Sequence, residues 1–274
     1  MIFVYKYWEQ FCRQLDVLEI HSIPACEVSG KEDSFLILKH DIENSVDKAY
    51  KLAEIEHKYG HRGSYYAHAY LLDNSRNVEM LKAMQLMGHE ISYHYDVMDS
   101  CHGNLEKAIL EFEENKKLFS SLGFEIRTVC QHGNPVVERI GYTSNRDFFR
   151  SSRVQKMYPD ISDIMVDYKK KHHTEYTYYS DAGRKFNLIF DPINNDLINS
   201  DDKNIPYEDL IDLLNNLSHK AIISTHPHRW TGSKMSYLIK EKSFKIIRFT
   251  AKILMKNSMM KKIMSRYYYL AKKI

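Results

Sequence analysis

The stretch Ser34-Phe-Leu-Ile-Leu-Lys-His-Asp-Ile-Glu43 places a short apolar run directly before two carboxylates. A run of this length and composition predicts a buried β-strand. Asn44 or Ser45 can cap a following helix, and Val46–Tyr59 has helical periodicity that ends at Gly60. The segment therefore predicts a strand, a polar turn that carries the carboxylates, and a helix.

The same alternation of strand and helix continues along the chain. Further strands are predicted at Ser64–Tyr70, Glu90–Tyr95 and Glu125–Cys130, with helices at Val78–Met87 and Leu105–Leu122. After an irregular middle region, a helix is predicted at Ile205–Ser218 and a strand at Ala221–Thr225. This order predicts an α/β fold with a parallel sheet or barrel, in which groups at the C-terminal strand ends converge on one rim.

Length and composition are those of a globular protein. The 274 residues are 43% hydrophobic and 27% charged, and an α/β barrel of this size is commonly one domain. No apolar run approaches the ~18 residues of a membrane span, and residues 1–16 lack the basic start and apolar run of a signal peptide. The four cysteines are scattered, which favours reduced thiols. We therefore expect a cytoplasmic protein.

Charge is divided unevenly along the chain. Residues 234–274 contain ten lysines, two arginines and one glutamate, a charge of +11, so the total of +3 leaves −8 for residues 1–233. We expect a barrel domain over 1–233 and a basic helical tail over 234–274. The tail can lie on an anionic membrane surface, or it can pack its apolar side on the barrel. Nucleic-acid binding is not expected, because the acidic domain would repel phosphate.

Two carboxylates, Asp41 and Glu43, come at the end of the first predicted strand. Because side chains alternate along a strand, both lie on the same face. One carboxylate can then hold a metal ion while the other takes a proton from water. The alternative is an acidic cap on the following helix, where negative charge is favourable.

Histidines follow three of the later predicted strands. His94 ends its strand, where a neutral imidazole can coordinate a metal, although a single histidine is more often structural. His132 lies in a turn and can be a ligand, a partner that orients a carboxylate, or a turn residue. His226 directly follows a buried strand and precedes Pro227, which suits a general acid.

Two further segments, far apart in the sequence, carry candidate substrate-binding residues. Arg229 and Trp230 offer a charged donor and a flat stacking surface suited to a sugar, or they belong to a loop that closes the barrel. Ser180-Asp-Ala-Gly-Arg184 is a polar, turn-like segment that predicts little by itself.

Taken in order, these segments resemble the motifs of the polysaccharide deacetylases (the NodB-homology family, carbohydrate esterase family four). The similarity is to a divergent bacterial branch whose first motif is H-D-x-D. The matching segments are His40-Asp-Ile-Glu43, Gly88-His-Glu-Ile-Ser-Tyr-His94, Gln131-His-Gly-Asn-Pro135, Ser180-Asp-Ala-Gly-Arg184 and Thr225-His-Pro227. The resemblance spans about residues 35–232, most of the chain.

The resemblance implies a distorted, incomplete (β/α) barrel that hydrolyses an N-acetyl group of an amino sugar with a divalent metal ion, zinc or similar. By position it implies that Asp41 is the base, His226 the acid, and Glu43 and His94 metal ligands. The predicted substrate-binding residues are Asp181, Arg184, Arg229 and Trp230.

The second motif departs from the family at one position. Where the family has a further histidine, this chain has Met98, whose thioether is a poor ligand for a hard or borderline cation. Asp96, His132 or His68 can supply the missing ligand, and we include His132 among the predicted metal ligands.

The sequence thus predicts de-N-acetylation of a nucleotide-linked or lipid-linked glycan precursor in surface polysaccharide biosynthesis. Two alternatives stay open. One is a metal-independent C–N hydrolase of the same fold. The other is a catalytically inactive glycan-binding protein, which is favoured by two departures from the family motifs: Glu43 in place of the second aspartate of the first motif, and Met98 in place of a histidine.

Overall fold

The computed structural model of this protein describes residues 3–134, 137–197 and 203–243. The strands in these ranges are β1 (Phe35–Ile42), β2 (Ser64–Ala67), β3 (Glu90–Tyr95), β4 (Thr128–Gln131), β5 (Ser162–Asp163), β6 (Thr177–Ser180), β7 (Asn187–Leu188), β8 (Ile205–Pro206) and β9 (Lys220–Thr225). They form one sheet in the order β5-β4-β3-β2-β1-β9-β6-β7-β8.

Strand direction follows the predicted α/β pattern. All neighbours from β5 to β6 in the sheet run parallel, whereas β7 is antiparallel to both β6 and β8. The two end strands, β5 and β8, do not pair with each other within the described ranges, so the sheet is open. The prediction of an α/β fold with an incomplete barrel is confirmed.

Helices pack against this sheet. They are α1 (Tyr5–Val17), α2 (Val46–Lys58), α3 (Ser75–Leu86), α4 (Val97–Ser100), α5 (Leu105–Ser121), α6 (Asp147–Arg150), α7 (Ser152–Met157), α8 (Tyr168–Lys171) and α9 (Leu210–Asn215). Along β1, Leu36 and Leu38 pack in a core that includes residues of α1 and α9, while Ile37 packs on the inner face. All eight residues of β1 are buried, as expected for a parallel strand covered on both sides.

Several predicted elements differ in their bounds: β4 begins at Thr128 rather than Glu125, α3 begins at Ser75 rather than Val78, and two further elements differ as follows. The strand predicted over Ser64–Tyr70 stops at Ala67, because Ala69–Asp73 form a 3₁₀ helix. The helix predicted from Ile205 begins only at Leu210, since Ile205–Pro206 pair with β7 as β8. The Asp209 carboxylate caps α9 by accepting hydrogen bonds from two backbone N–H groups of its first turn.

The start of the predicted basic tail packs on the barrel. Residues 234–243 are helical, and the rest of the tail, 244–274, lies outside the described residues. Tyr237 is buried with its ring centroid 6.4 Å from that of Phe3, and Glu241 Oε2 lies 2.9 Å from Arg184 Nε. Within the described ranges, no helix has the length and apolar character needed to cross a membrane.

Candidate active site

The C-terminal ends of β1, β3, β4, β6 and β9 surround a cavity of about 320 Å³. Five of the residues singled out in the sequence line it: Asp41, Glu43, His94, His226 and Arg229. Parallel pairing brings them together, because His40 in β1 is in register with Thr225 in β9 and Tyr66 in β2 is in register with Ser92 in β3. Residues far apart in the sequence therefore meet at one rim.

Asp41 is fixed by a buried lysine two residues before it in β1. Lys39 Nζ donates to both carboxylate oxygens of Asp41 at 2.6 Å and to Ser224 Oγ at 3.2 Å. Burial works to raise the pKa of Asp41, but the charge of Lys39, aided by His94 and His226, lowers it to about 2. Burial likewise opposes the charge of Lys39, yet Asp41 holds the lysine pKa well above its usual value. The pair is therefore ionised at neutral pH.

His226 faces Asp41 and is oriented by Asp181 at the end of β6. Its Nε2 lies 3.9 Å from Asp41 Oδ2, and its Nδ1 lies 2.6 Å from Asp181 Oδ1. Asp181 is fully buried and also accepts hydrogen bonds from Arg229 Nη1 at 2.5 Å and Thr225 Oγ1 at 2.7 Å. Although burial works against its ionisation, the nearby Arg229 and His226 hold the pKa of Asp181 well below its usual value. Since an ionised carboxylate can only accept, His226 Nδ1 carries a proton and Nε2 is directed to the cavity side.

Three buried histidines from neighbouring strand ends gather around Glu43. One ring nitrogen of each of His68, His94 and His132 lies within 4.8 Å of the others. Glu43 Oε1 lies 3.4 Å from His132 Nδ1, and Glu43 Oε2 lies 3.8 Å from His68 Nε2. His132 Nδ1 is also 3.2 Å from His94 Nε2. The predicted ligands Glu43, His94 and His132 are thus brought together, and His68 joins them.

The protonation states in this cluster suit metal binding. His94 Nδ1 lies 3.1 Å from the carbonyl oxygen of Cys130, which can only accept, so this nitrogen carries the proton and Nε2 presents a lone pair to the cluster. Burial holds the pKa of His94 well below its usual value and keeps the ring neutral. Burial opposes ionisation of Glu43, but the imidazoles of His132, His68 and His94 beside it hold its pKa well below the usual range.

This donor set fits a divalent metal ion. Imidazole nitrogens and one carboxylate are the donors that zinc and similar cations take in catalytic sites. A second group, Asp41, His94 and Cys130, also lies within 4.8 Å, but both Asp41 oxygens are engaged by Lys39 and burial raises the pKa of the Cys130 thiol. The cluster of Glu43 and the three histidines is therefore the better site.

Two of the three candidates for the missing ligand, His68 and His132, lie beside His94. Met98 is buried in the hydrophobic core, in α4, as a packing residue. Asp96, the third candidate, lies between β3 and α4, directly before the first residue of that helix. His68 and His132, rather than a residue of α4, occupy the space beside His94.

Two predicted substrate-binding residues do not face the cavity. Trp230 is fully buried: its Nε1 donates to Thr225 Oγ1 at 2.9 Å, and its ring packs on those of Phe3 and Trp8 at 5.3 and 5.1 Å. The prediction of an exposed stacking surface at Trp230 is therefore wrong. Arg184 is directed to Glu241 of the C-terminal helix, and it is not a lining residue of the cavity.

Asp181 and Arg229 lie at the cavity in a different way from that predicted. Arg229 lines it, but its Nη1 donates to the backbone and side-chain oxygens of Asp181. Asp181 has no exposed surface and contacts His226. Asp181 orients His226, and Arg229 binds Asp181, so neither side chain is placed mainly for direct contact with a ligand.

Comparisons with known proteins give distant similarities of fold. No protein-family model matches the sequence, and the curated proteins give no significant match. Among solved structures, the chain is similar to a variant of a CE4 family pseudoenzyme with restored enzymatic activity, at 13% identity and a TM-score of 0.38, over 74% of this chain and 59% of that one. It is similar to a mutant of the peptidoglycan deacetylase PdaC from Bacillus subtilis, at 12% identity and 0.38, over 81% and 99%. It is also similar to a Bdellovibrio bacteriovorus peptidoglycan deacetylase, at 14% identity and 0.35, over 75% and 48%.

Proposed function

We propose that this protein is a metal-assisted hydrolase that removes the acetyl group from an N-acetylated amino sugar. The observation that carries the proposal is the position of Asp41 and His226 side by side in one cavity, 3.9 Å apart at their closest atoms, next to Glu43 and the three clustered histidines. Hydrolysis of an amide needs a proton acceptor for water, a proton donor for the leaving amine, and stabilisation of a developing oxyanion.

The ionised Asp41 is the proton acceptor in this proposal. Its pKa of about 2 keeps the carboxylate unprotonated at neutral pH, ready to accept a hydrogen bond from the attacking water. Lys39 holds both oxygens of the carboxylate in place and prevents the side chain from rotating away. Because a low pKa makes a weak base, proton uptake by Asp41 depends on a water that is already acidified.

Glu43, His68, His94 and His132 would hold the divalent cation. When bound, such a cation supplies polarisation of the acetyl carbonyl and lowers the pKa of water. Lines of support are the neutral state of His94 and the lone pair that its Nε2 directs into the cluster. A weak carboxylate base suits a site of this kind, because Asp41 lines the same cavity as Glu43 and His94 and would accept the proton of a water held there.

His226 is the proton donor to the departing amine. Its Nδ1 proton is held by Asp181, so Nε2 is the atom that gives up or receives a proton on the cavity side. The ionised Asp181 also offsets the positive charge that the ring carries when both nitrogens are protonated, as a buried carboxylate does for the histidine of a catalytic triad.

The substrate we propose is a single acetamido sugar on a nucleotide or lipid carrier, used in surface polysaccharide biosynthesis inside the cell. A cavity of about 320 Å³ is at the small end of the range for ligand sites, which fits one sugar better than a long glycan. The basic tail beyond the barrel would hold the enzyme near an anionic membrane if the carrier is a lipid.

The test is acetate release from a panel of substrates before and after chelation. The panel contains a nucleotide-linked N-acetylhexosamine, a lipid-linked one and a neutral N-acetylglucosamine oligomer. We expect release from at least one carrier-linked sugar, abolished by a chelator and restored by added zinc. Full activity after chelation would point to a metal-independent hydrolase, and no acetate from any substrate would point to a glycan-binding protein.

A further inference from the structure

His132 is held in the candidate metal site by a loop rather than by a regular element. It follows β4, and its backbone N–H donates to Tyr95 O at 2.7 Å, at the end of the neighbouring strand. Its imidazole reaches both His94 and Glu43. A ligand on a loop needs other contacts to fix its ring, since loops are the more mobile parts of a fold.

Asn145 supplies such a contact from a distant part of the chain. Its Nδ2 donates to His132 O at 2.8 Å and to Asp99 Oδ2 at 2.9 Å, while its Oδ1 accepts from Asp99 N at 2.9 Å. Asn145 is fully buried, and both polar atoms of its amide are used in these bonds. It therefore bridges the loop of His132 to the short helix α4.

Asp99 is the centre of this buried network. It is 4% exposed, and its carboxylate accepts a two-pronged contact from Arg139 at 2.8 and 2.9 Å and a hydrogen bond from Tyr142 OH at 3.1 Å. Arg139 Nη2 also donates to Asn134 O at 2.8 Å. The loop is thus tied to Asp99 twice, at His132 through Asn145 and at Asn134 through Arg139.

We propose that Asp99 and Asn145 are positioning residues that hold His132 in place as a metal ligand. The inference rests on the proposed metal site, but it assigns a role to residues that do not themselves touch that site. α4 contributes no ligand, because Met98 points into the core, yet it acts on the site through the next residue, Asp99. Partners that orient metal ligands commonly change metal affinity by about 10- to 100-fold when they are removed.

The experiment compares zinc affinity in the full-length protein, measured by competition with a fluorescent chelator. We expect Asn145→Ala to weaken zinc binding by about 10- to 100-fold, and His132→Ala by at least as much. Asn115→Ala is the matched control, because Asn115 donates to a buried group, Tyr93 OH at 2.6 Å, away from the site. It should leave zinc affinity unchanged. Asp99→Asn keeps the shape of the buried side chain and serves as the second variant if Asn145→Ala does not fold.

A double-mutant cycle separates positioning from a general loss of stability. If Asn145 acts through His132, Asn145→Ala in the His132→Ala background should not weaken zinc binding further. An equal loss in both backgrounds would mean that Asn145 only stabilises the fold, and the inference would be overturned. Unchanged affinity in Asn145→Ala would overturn it while leaving the proposed function intact. A wild-type protein that binds no zinc would remove the metal from the proposed function as well.

Discussion

Two clusters of side chains at the cavity, called its walls here, carry charge in different ways, although Asp181, His68 and His132 belong to them without lining the cavity. In the charge-paired wall (Lys39, Asp41, Asp181, His226 and Arg229), each carboxylate is bonded to a permanent cation, Asp41 to Lys39 and Asp181 to Arg229. In the imidazole wall (Glu43, His68, His94 and His132), the carboxylate faces histidine rings instead.

This difference indicates what each wall can do. The charge-paired wall is electrically balanced by its own side chains, so its carboxylates stay ionised and its histidine keeps a fixed orientation. The imidazole wall has a neutral His94 and an ionised Glu43, a set that gains balance from a bound cation. In the proposed function, the first wall moves protons and the second holds a metal.

Replacing Asp41 should have the largest effect. Asp41→Asn removes the proton acceptor, and we expect the kcat for acetate release to fall by about 10²- to 10⁴-fold. The substitution also leaves Lys39 buried beside a neutral amide, so urea unfolding must show that the variant is folded in the assay. Asp47→Asn, at an exposed acid in α2, is the control and should be as active as wild type. Turnover by Asp41→Asn near the wild-type rate would show that the charge-paired wall does not hold the base.

Removing one imidazole should distinguish the contribution of the imidazole wall to acetate release from that of the charge-paired wall. We expect His94→Ala to lose about one divalent ion per chain by elemental analysis and to lower acetate release by about 100-fold, since a metal supplies several kcal/mol of charge stabilisation. The control is His57→Ala, at an exposed histidine of α2. If His94→Ala and chelated wild type both keep their activity, the charge-paired wall suffices and the hydrolase is independent of metal.

Local sequence pattern was enough to find part of each wall. Asp41, His94 and His226 lie at or directly after apolar runs, so the parallel order of strands places them at one rim. The sequence pattern assigns no role to Lys39, because a lysine at the end of an apolar run is typical of the edge of a buried strand. That it pairs with Asp41 depends on how completely both are buried, which only the packed fold decides.

Contacts between residues distant in sequence explain why the predictions for Trp230 and His68 differ from the structure. Trp230 follows a charged, loop-like segment, but a 3₁₀ helix at Pro227–Arg229 turns it inward onto Phe3 and Trp8 from the start of the chain. The aromatic run before His68 predicts a strand that continues past this residue, whereas the strand ends at Ala67. The sequence therefore leaves His68 as one of three candidates for the missing metal ligand, and the fold places it beside His94.

A smaller loss is expected when the charge that orients His226 is removed. Asp181→Asn keeps an oxygen to accept from His226 Nδ1 but leaves Arg229 without its ionised partner. We expect kcat to fall by about 10- to 100-fold with little change in KM, since Asp181 acts on proton transfer and not on substrate binding. A kcat–pH profile checks the role, because the limb that reports the protonated acid should shift to lower pH. A raised KM with unchanged kcat would place Asp181 in substrate binding instead.

The last comparison concerns the pH dependence of stability and a buried carboxylate that no cation contacts through a hydrogen bond in the described ranges. Asp163 in β5 accepts from Met165 N at 2.7 Å and from the hydroxyl of Tyr95, the residue after His94. Burial outweighs these bonds and raises the pKa of Asp163 to about 7 from its usual 3.8, whereas Lys39 lowers that of Asp41 to about 2. The two aspartates thus show what a buried cation does to a carboxylate of the same type.

The sign of the pH dependence follows from that raised pKa. Between about pH 4 and pH 7 the folded protein holds a proton on Asp163 that the unfolded chain releases, so the free energy of unfolding falls as pH rises through this window. Asp163→Asn removes this contribution. Urea unfolding of the chelated protein at pH 4.5 and pH 8 should show a decline in wild type that exceeds the decline in Asp163→Asn by on the order of 2–4 kcal/mol. Equal declines in the two proteins would mean that Asp163 is ionised in the folded state, with a cationic partner in solution as Asp41 has in Lys39.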